Sequence, residues 1–133
     1  WVMHTLRSTI DNDKIWFEIL KEFMIENAKG FADTKNFFEK VFEKTGIDYW
    51  YFAEQYFYTP NQPELEYYQT QKKFYYKWNN VNENFKMPID LLVNGAVKRV
   101  IPSHKFKSFD IDRHAQIEVM DWKFYITATN RDE

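Results

Sequence analysis

The amino-acid sequence predicts an α+β chain: an N-terminal segment of about three helices, followed by a small antiparallel β-sandwich of six or seven strands. Three observations carry this. Apolar residues recur at helical spacing up to Phe57, short segments rich in β-branched and aromatic residues follow Pro63, and Thr59-Pro60-Asn61-Gln62-Pro63 separates the two patterns. Proline cannot continue a helix and restricts the residue before it, so this stretch is a firm stop.

The helical part opens on Val2, Met3, Leu6 and Ile10, apolar on one side, as in the tail of a helix. Asp11-Asn12-Asp13 forms a turn whose side-chain oxygens can cap the next helix. From Lys14 to about Ala28 the stripe is Ile15, Trp16, Ile19, Leu20, Phe23 and Met24, with Lys21, Glu22 and Glu26 off it and Gly30 as the stop. Asp33-Thr34 starts another helix with Phe37, Phe38, Val41 and Phe42 as its buried stripe, and Gly46 ends it. Asp48 caps the last helix, whose Trp50, Phe52, Ala53, Tyr56 and Phe57 spread widely around the axis, as expected of a helix between layers.

The strand expectations are 64–71, 72–78, 85–93, 96–101, 105–109, 116–120 and 123–128, divided by turn residues. Gln116-Ile117-Glu118-Val119-Met120 alternates most clearly, and Asn94-Gly95 between apolar runs is a hairpin signal. Regularly spaced short strands of this kind make a sandwich. The expected organisation is a helical part over 1–58, a linker at 59–63, a β-sandwich domain over 64–128 and a tail at 129–133.

Composition limits function. The 133 residues carry a net charge of −2 and 20% aromatic side chains. Such an aromatic load belongs to a packed chain, and the charge gives no footprint for nucleic acid. With no Cys there is neither disulfide nor thiolate chemistry. No apolar run reaches the 18 or more residues of a membrane span. The chain opens in mid-pattern on Trp1-Val2-Met3-His4, which suggests a fragment.

The candidate sites are few, and each has a plainer reading. His104, Asp110, Asp112 and His114 lie close in sequence and are ligand types, but their spacing matches no ligand pattern, so a polar loop is expected. His4 reads as a packed or rim histidine. Tyr67, Tyr68, Phe74, Tyr75, Tyr76 and Trp78 could stack on a sugar or peptide, yet in alternating strands half of them face the core and the rest can cover the helical part. The acid pairs Asp11/Asp13 and Glu22/Glu26 sit at a turn and on a polar helix face, as solvated charge does. Lys98 and Arg99 read as edge-strand protection.

The order of signals resembles the C-terminal side of the catalytic domain in the aminopeptidase N family of zinc metallopeptidases. Trp1-Val2-Met3-His4-Thr5-Leu6-Arg7 looks like the apolar segment that follows the family's Tyr-x-Lys-Gly run, and Ala32-Asp33-Thr34-Lys35-Asn36-Phe37 is similar to its next helix start. Thr45-Gly46-Ile47-Asp48-Tyr49-Trp50-Tyr51-Phe52-Ala53-Glu54-Gln55-Tyr56 resembles its Ser-Gly-x-Asp-Leu-x-x-Phe-Phe-x-x-Trp pattern, with Tyr56 at the Trp position. Thr59–Leu65 is similar to the lead-in to the family's β-sandwich, with Asn61 near a usual Gly, and Phe85-Lys86-Met87-Pro88-Ile89 resembles a Phe-x-x-Pro strand within it.

The resemblance implies a parent that removes N-terminal residues from peptides. It implies a zinc held by a His-Glu-x-x-His helix and a later Glu, with the first Glu as general base. That spacing does not occur among His4, His104 and His114. By the same alignment the family's catalytic Tyr stands a few residues before Trp1. The expected catalytic, cofactor-binding and metal-binding residues of this chain are therefore none, and its expected partner is an upstream catalytic domain of the same polypeptide. The alternative is a non-catalytic β-sandwich module that binds peptide, glycan or a partner protein.

Overall fold

A computed structural model describes residues 2–26 and 33–131. Trp1, Ala28, Gly30 and Ala32, to which the sequence assigned motif and helix-end roles, lie outside the described residues. Four helices lead: α1 (Val2–Ile10), α2 (Asp13–Glu26), α3 (Thr34–Thr45) and α4 (Trp50–Phe57). Seven strands follow: β1 (Glu64–Gln69), β2 (Lys73–Asn79), β3 (Ile89–Val93), β4 (Ala96–Val100), β5 (Lys107–Asp110), β6 (Ile117–Val119) and β7 (Thr127–Asn130). A 3-10 turn at Asp121–Lys123 precedes β7. The fold is thus α+β, helices first and a small two-sheet sandwich after.

Local chemistry explains the helix ends. The Asn12 side chain accepts the Ile15 N–H, and Asp33 accepts the Asn36 N–H at 2.8 Å, each satisfying a free donor in a first turn. Gly46 stops α3 with φ of 73°, its N–H returning to the Phe42 carbonyl. Asp48 accepts the Trp50 N–H at the start of α4.

The larger sheet runs β5-β2-β1-β7 and the smaller β4-β3-β6. The sequence predicts antiparallel pairing, and among the described residues four of the five strand pairs are antiparallel. β1 and β7 run parallel, with Leu65 opposite Ala128. Parallel neighbours need a long crossover, and the whole of β2–β6 supplies it. β7 continues through Asn130 and Arg131 donates its N–H to Tyr67, so the first residues expected as tail complete the sheet. The 123–128 strand expectation begins late because its first residue closes the 3-10 turn. Phe85–Met87, expected in a strand, precede it: β3 starts at Ile89. The Asn94-Gly95 hairpin forms as expected, both residues at positive φ (51° and 85°), which this tight turn requires.

One apolar cluster joins the helices and both sheets. Leu6, Trp16, Ile19, Phe38, Val41 and Phe52 meet Leu65, Phe74, Trp78, Phe85, Met87, Ile89, Leu91 and Phe124. Phe85 is a hinge of this packing: its ring lies 5.5 Å from Trp78, 5.7 Å from Tyr51 and 6.4 Å from Tyr56. Two stripe residues stay open. Met24 and Phe42 are 69% and 54% exposed, because the fully buried apolar residues of α2 and α3 are Trp16, Ile19, Phe37, Phe38 and Val41, the centre of each stripe.

Candidate functional site

The most developed polar constellation lies where the smaller sheet meets α1. Period-two alternation sends Ile89 and Leu91 of β3 into the apolar cluster and Asp90 to the opposite face. There Asp90 is 2% exposed. Its register partner on β4 is Arg99, which donates Nε to one carboxylate oxygen at 2.8 Å and Nη2 to the other at 3.1 Å. Lys123 adds a third donor at 3.0 Å. The rest of the guanidinium reaches α1: Nη1 donates to the Thr9 carbonyl at 2.9 Å and Nη2 to the Ser8 carbonyl at 2.8 Å. These carbonyls belong to the last turn of α1, where acceptors lack helical donors and the helix dipole favours a cation.

Burial alone would raise the Asp90 carboxyl. The hydrogen bonds and charges of Arg99 and Lys123 together outweigh it and hold Asp90 below the usual carboxylate range. A carboxylate fixed as an anion by two cations is a brace rather than a proton carrier. Sequence alone reads Arg99 as an edge guard. β4 is indeed an edge strand, and Lys98 stays exposed with its ammonium 4.9 Å from the Phe109 ring centre, but Arg99, on the face of Asp90, is half-buried against α1 and joins strand to helix. The signal that could have found it is the pairing of Asp90 and Arg99 across the Asn94-Gly95 hairpin, whose turn fixes the register.

A second polar link surrounds Gln55 of α4, fully buried. Its amide donates to the Asn61 carbonyl at 2.9 Å, and its oxygen accepts the Asn82 N–H at 2.8 Å. A third runs Tyr56 hydroxyl to Tyr125 carbonyl at 2.9 Å, then Tyr125 N–H to Thr5 hydroxyl at 2.7 Å. All three links tie helices to the β-rich half.

The candidates from sequence separate in space or in role. His104 turns Nε2 toward the carbonyls of Asn82 and Glu83, both at 3.1 Å; two acceptors require that this nitrogen carry the proton, so it presents no lone pair there. Asp110 faces Lys73 at 3.7 Å, and Asp112 and His114 are exposed. Among the described residues no group of three His, Cys, Asp or Glu side chains is placed to hold a metal ion. His4 is an exposed residue of α1.

The acid pairs are ion-paired rather than merely solvated. Asp13 takes Arg7 two-on-two at 2.9 and 3.0 Å, Glu22 pairs with Lys44, and Glu26 with Lys40 at 2.7 Å. Their hydrogen bonds lower the Asp13 and Glu22 pKa values, away from any general-acid role. Asp11 is the most loosely paired of the four, exposed and 3.9 Å from Arg99.

The aromatic candidates divide as alternation requires. Phe74, Tyr76 and Trp78 are buried, and Tyr67 stacks inward on Phe74 at 5.6 Å. On the outer face Tyr68 and Tyr75 stack at 4.5 Å with Phe106 edge-on. Arg131 lies over Tyr68 and Phe106, and Lys77 over Phe106 at 4.9 Å. The outward rings are covered by the sheet's own cations, not by the helices.

No family model matches the chain, and no curated protein matches it. Among solved structures, the crystal structure of Legionella pneumophila aminopeptidase A in complex with aspartic acid is similar, with a TM-score of 0.74 at 18% sequence identity. The likeness covers 96% of this chain and 17% of that one. At this identity it is a likeness of fold: helices followed by a sandwich, in an arrangement also found within an aminopeptidase.

Proposed function

We propose that this chain is the C-terminal structural part of a zinc-dependent aminopeptidase, in which α1–α4 close the catalytic domain and the β-sandwich braces them. The observation that carries the reading is the fold likeness to an aminopeptidase over 96% of the chain, coinciding with the ordered motifs from Thr5-Leu6-Arg7 to Phe85–Ile89. The Arg99 knot supports the bracing role, because it grips the end of α1 from the smaller sheet. No residue here is assigned to catalysis or to zinc. In this reading the metal belongs to another part of the polypeptide, where a His-Glu-x-x-His helix would hold it.

The rival reading, a binding module, finds its best surface in Tyr68, Tyr75 and Phe106. Arg131 and Lys77 already occupy those rings, which counts against it. The test is the coding sequence upstream of Trp1 together with an assay. A His-Glu-x-x-His motif upstream is expected, and the purified 133-residue chain should hydrolyse no aminoacyl-anilide and retain no stoichiometric zinc. An upstream sequence without that motif, or hydrolysis by the isolated chain, overturns the reading.

A further inference from the structure

Of the three glycines in the chain, only Gly95 follows an asparagine. The pair fills the two-residue turn between β3 and β4, where Val93 stands opposite Ala96. Both residues are exposed, and a side chain at Gly95 would meet nothing within 4 Å, so the Gly95 amide is open to solvent. A carboxamide next to so unhindered a backbone nitrogen is the arrangement in which asparagine cyclises most readily.

We propose that Asn94 is a site of spontaneous deamidation, restrained by Gln116, and that its isoaspartyl product releases the grip of Arg99 on α1. The Gly95 nitrogen bonds to the side-chain carbonyl carbon of Asn94 and gives up its proton. The carboxamide carbon–nitrogen bond breaks, and ammonia leaves with that proton. The ring that remains is a succinimide, and solvent water opens it at either carbonyl. Opening at the side-chain carbonyl leaves an aspartate and the original backbone. Opening at the main-chain carbonyl leaves an isoaspartate, whose backbone runs through the side chain and is one carbon longer.

Gln116 holds the starting state twice. Asn94 Oδ1 accepts the Gln116 N–H at 2.8 Å, and the Asn94 N–H donates to the Gln116 carbonyl at 2.8 Å. The carboxamide carbon reaches the Gly95 nitrogen only by turning Asn94 away from Gln116, which breaks both bonds. Two hydrogen bonds of ordinary net strength slow such a step about thirtyfold.

The two products act differently on the hairpin. An aspartate keeps the turn and the oxygen that accepts Gln116. It adds a charge at a cavity of about 240 Å³ that Asp110 and Asp112 also line. An isoaspartate adds an atom to a two-residue turn, and turn length sets strand register. That register places Asp90 opposite Arg99, and Arg99 holds the Ser8 and Thr9 carbonyls of α1. A change at the turn is thereby passed to the helix.

The experiment incubates the purified chain at neutral pH, folded and in urea, maps deamidation by peptide mass spectrometry and counts isoaspartate with isoaspartyl methyltransferase. In urea, Asn94 should deamidate before any other asparagine; in the folded chain it should do so about thirtyfold more slowly. The isoaspartyl form, separated by ion exchange, should show α1 amides exchanging at least about tenfold faster than in fresh protein, the factor that one charge-assisted hydrogen bond supplies. Asn94→Asp carries the new charge on the original backbone and should keep the fresh rate. Asn94→Gly keeps a turn-forming pair, has no carboxamide, and should show no change of α1 exchange on incubation. An Asn94 that stays intact in urea while other asparagines deamidate overturns the site. Equal rates folded and in urea overturn the restraint by Gln116. Unchanged α1 exchange in the isoaspartyl form, or equally fast exchange in Asn94→Asp, overturns the link to Arg99.

Discussion

Arg99 and Asp90 face each other across the β3–β4 hairpin in a two-on-two ion pair, at 2.8 and 3.1 Å, with the carboxylate buried and the guanidinium 29% exposed. A buried carboxylate is costly unless every lone pair is engaged. Here Lys123 supplies the remaining donor, and the guanidinium spends its free N–H groups on the end of α1. The pair therefore does two things with one side chain: it neutralises Asp90, and it fixes the first helix against the smaller sheet.

Arg99→Met should destabilise the chain by about 3 kcal/mol, the lower end of what breaking a buried ion pair costs, since Arg99 keeps part of its surface in water. Arg99→Lys should recover only part of this, because an ammonium cannot serve two carboxylate oxygens and two carbonyls in one plane. Urea denaturation of the three proteins checks both, and equal stability of Arg99→Met and the parent chain would remove the knot from the account. Amide exchange in α1 should quicken in both variants.

Acid should weaken the same link. The Asp90 pKa is depressed in the fold, so its contribution is fully present above the ordinary carboxylate value of about 4 and is lost as pH falls through the folded value. Asp13 and Glu22 are depressed in the same direction, so total stability reports all of them. The difference between the parent chain and Asp90→Asn isolates the one group. It should be flat from pH 5 to 8 and shrink below about pH 4. A difference that is constant down to pH 2 would mean that Asp90 is not held as an anion.

Much of the architecture was legible because it depends on local rules. Asp33 and Gly46 delimit α3 by capping chemistry, and Asn94-Gly95 makes its hairpin by backbone freedom. The parallel β1–β7 pairing was not legible, because it joins residues some sixty positions apart and no local pattern encodes direction. Arg99 shows the same limit. Its neighbours Val97 and Lys98 mark an exposed edge, and only the position of α1, set by the tertiary fold, covers the next residue. Met24 and Phe42 fit the helical stripe, yet a helix needs only part of that stripe to pack on its neighbour.

Gln55→Leu tests the link at the end of α4. The substitution keeps most of the volume but leaves the Asn61 carbonyl and the Asn82 N–H without their partner. Both lie near solvent and can recruit water, so the cost should be about 1–3 kcal/mol rather than the full penalty for each group. Guanidinium melts should show it with an unchanged slope, since the exposed area on unfolding is the same. A neutral or stabilising effect would mean that the apolar side chain packs as well as the amide bonds.

Tyr56→Phe probes the relay from α4 through Tyr125 to Thr5. The ring stays in place against Phe52, 4.6 Å away, and the hydroxyl loses its bond to the Tyr125 carbonyl and a long contact with the Met87 sulfur, so about 1 kcal/mol is expected at neutral pH. Burial raises the Tyr56 pKa well above its ordinary value, with the neighbouring tyrosines adding to it. A raised pKa means that the fold favours the neutral phenol. Its contribution is present below the unfolded value of about 10 and declines as pH rises above it, when the unfolded chain ionises and the folded one does not. The stability gap between the parent chain and Tyr56→Phe should therefore be constant from pH 6 to 9, then close and reverse above about pH 10. A gap that widened with alkali would show that the phenolate is accepted inside, and that Tyr56 is more open to water than its contacts indicate.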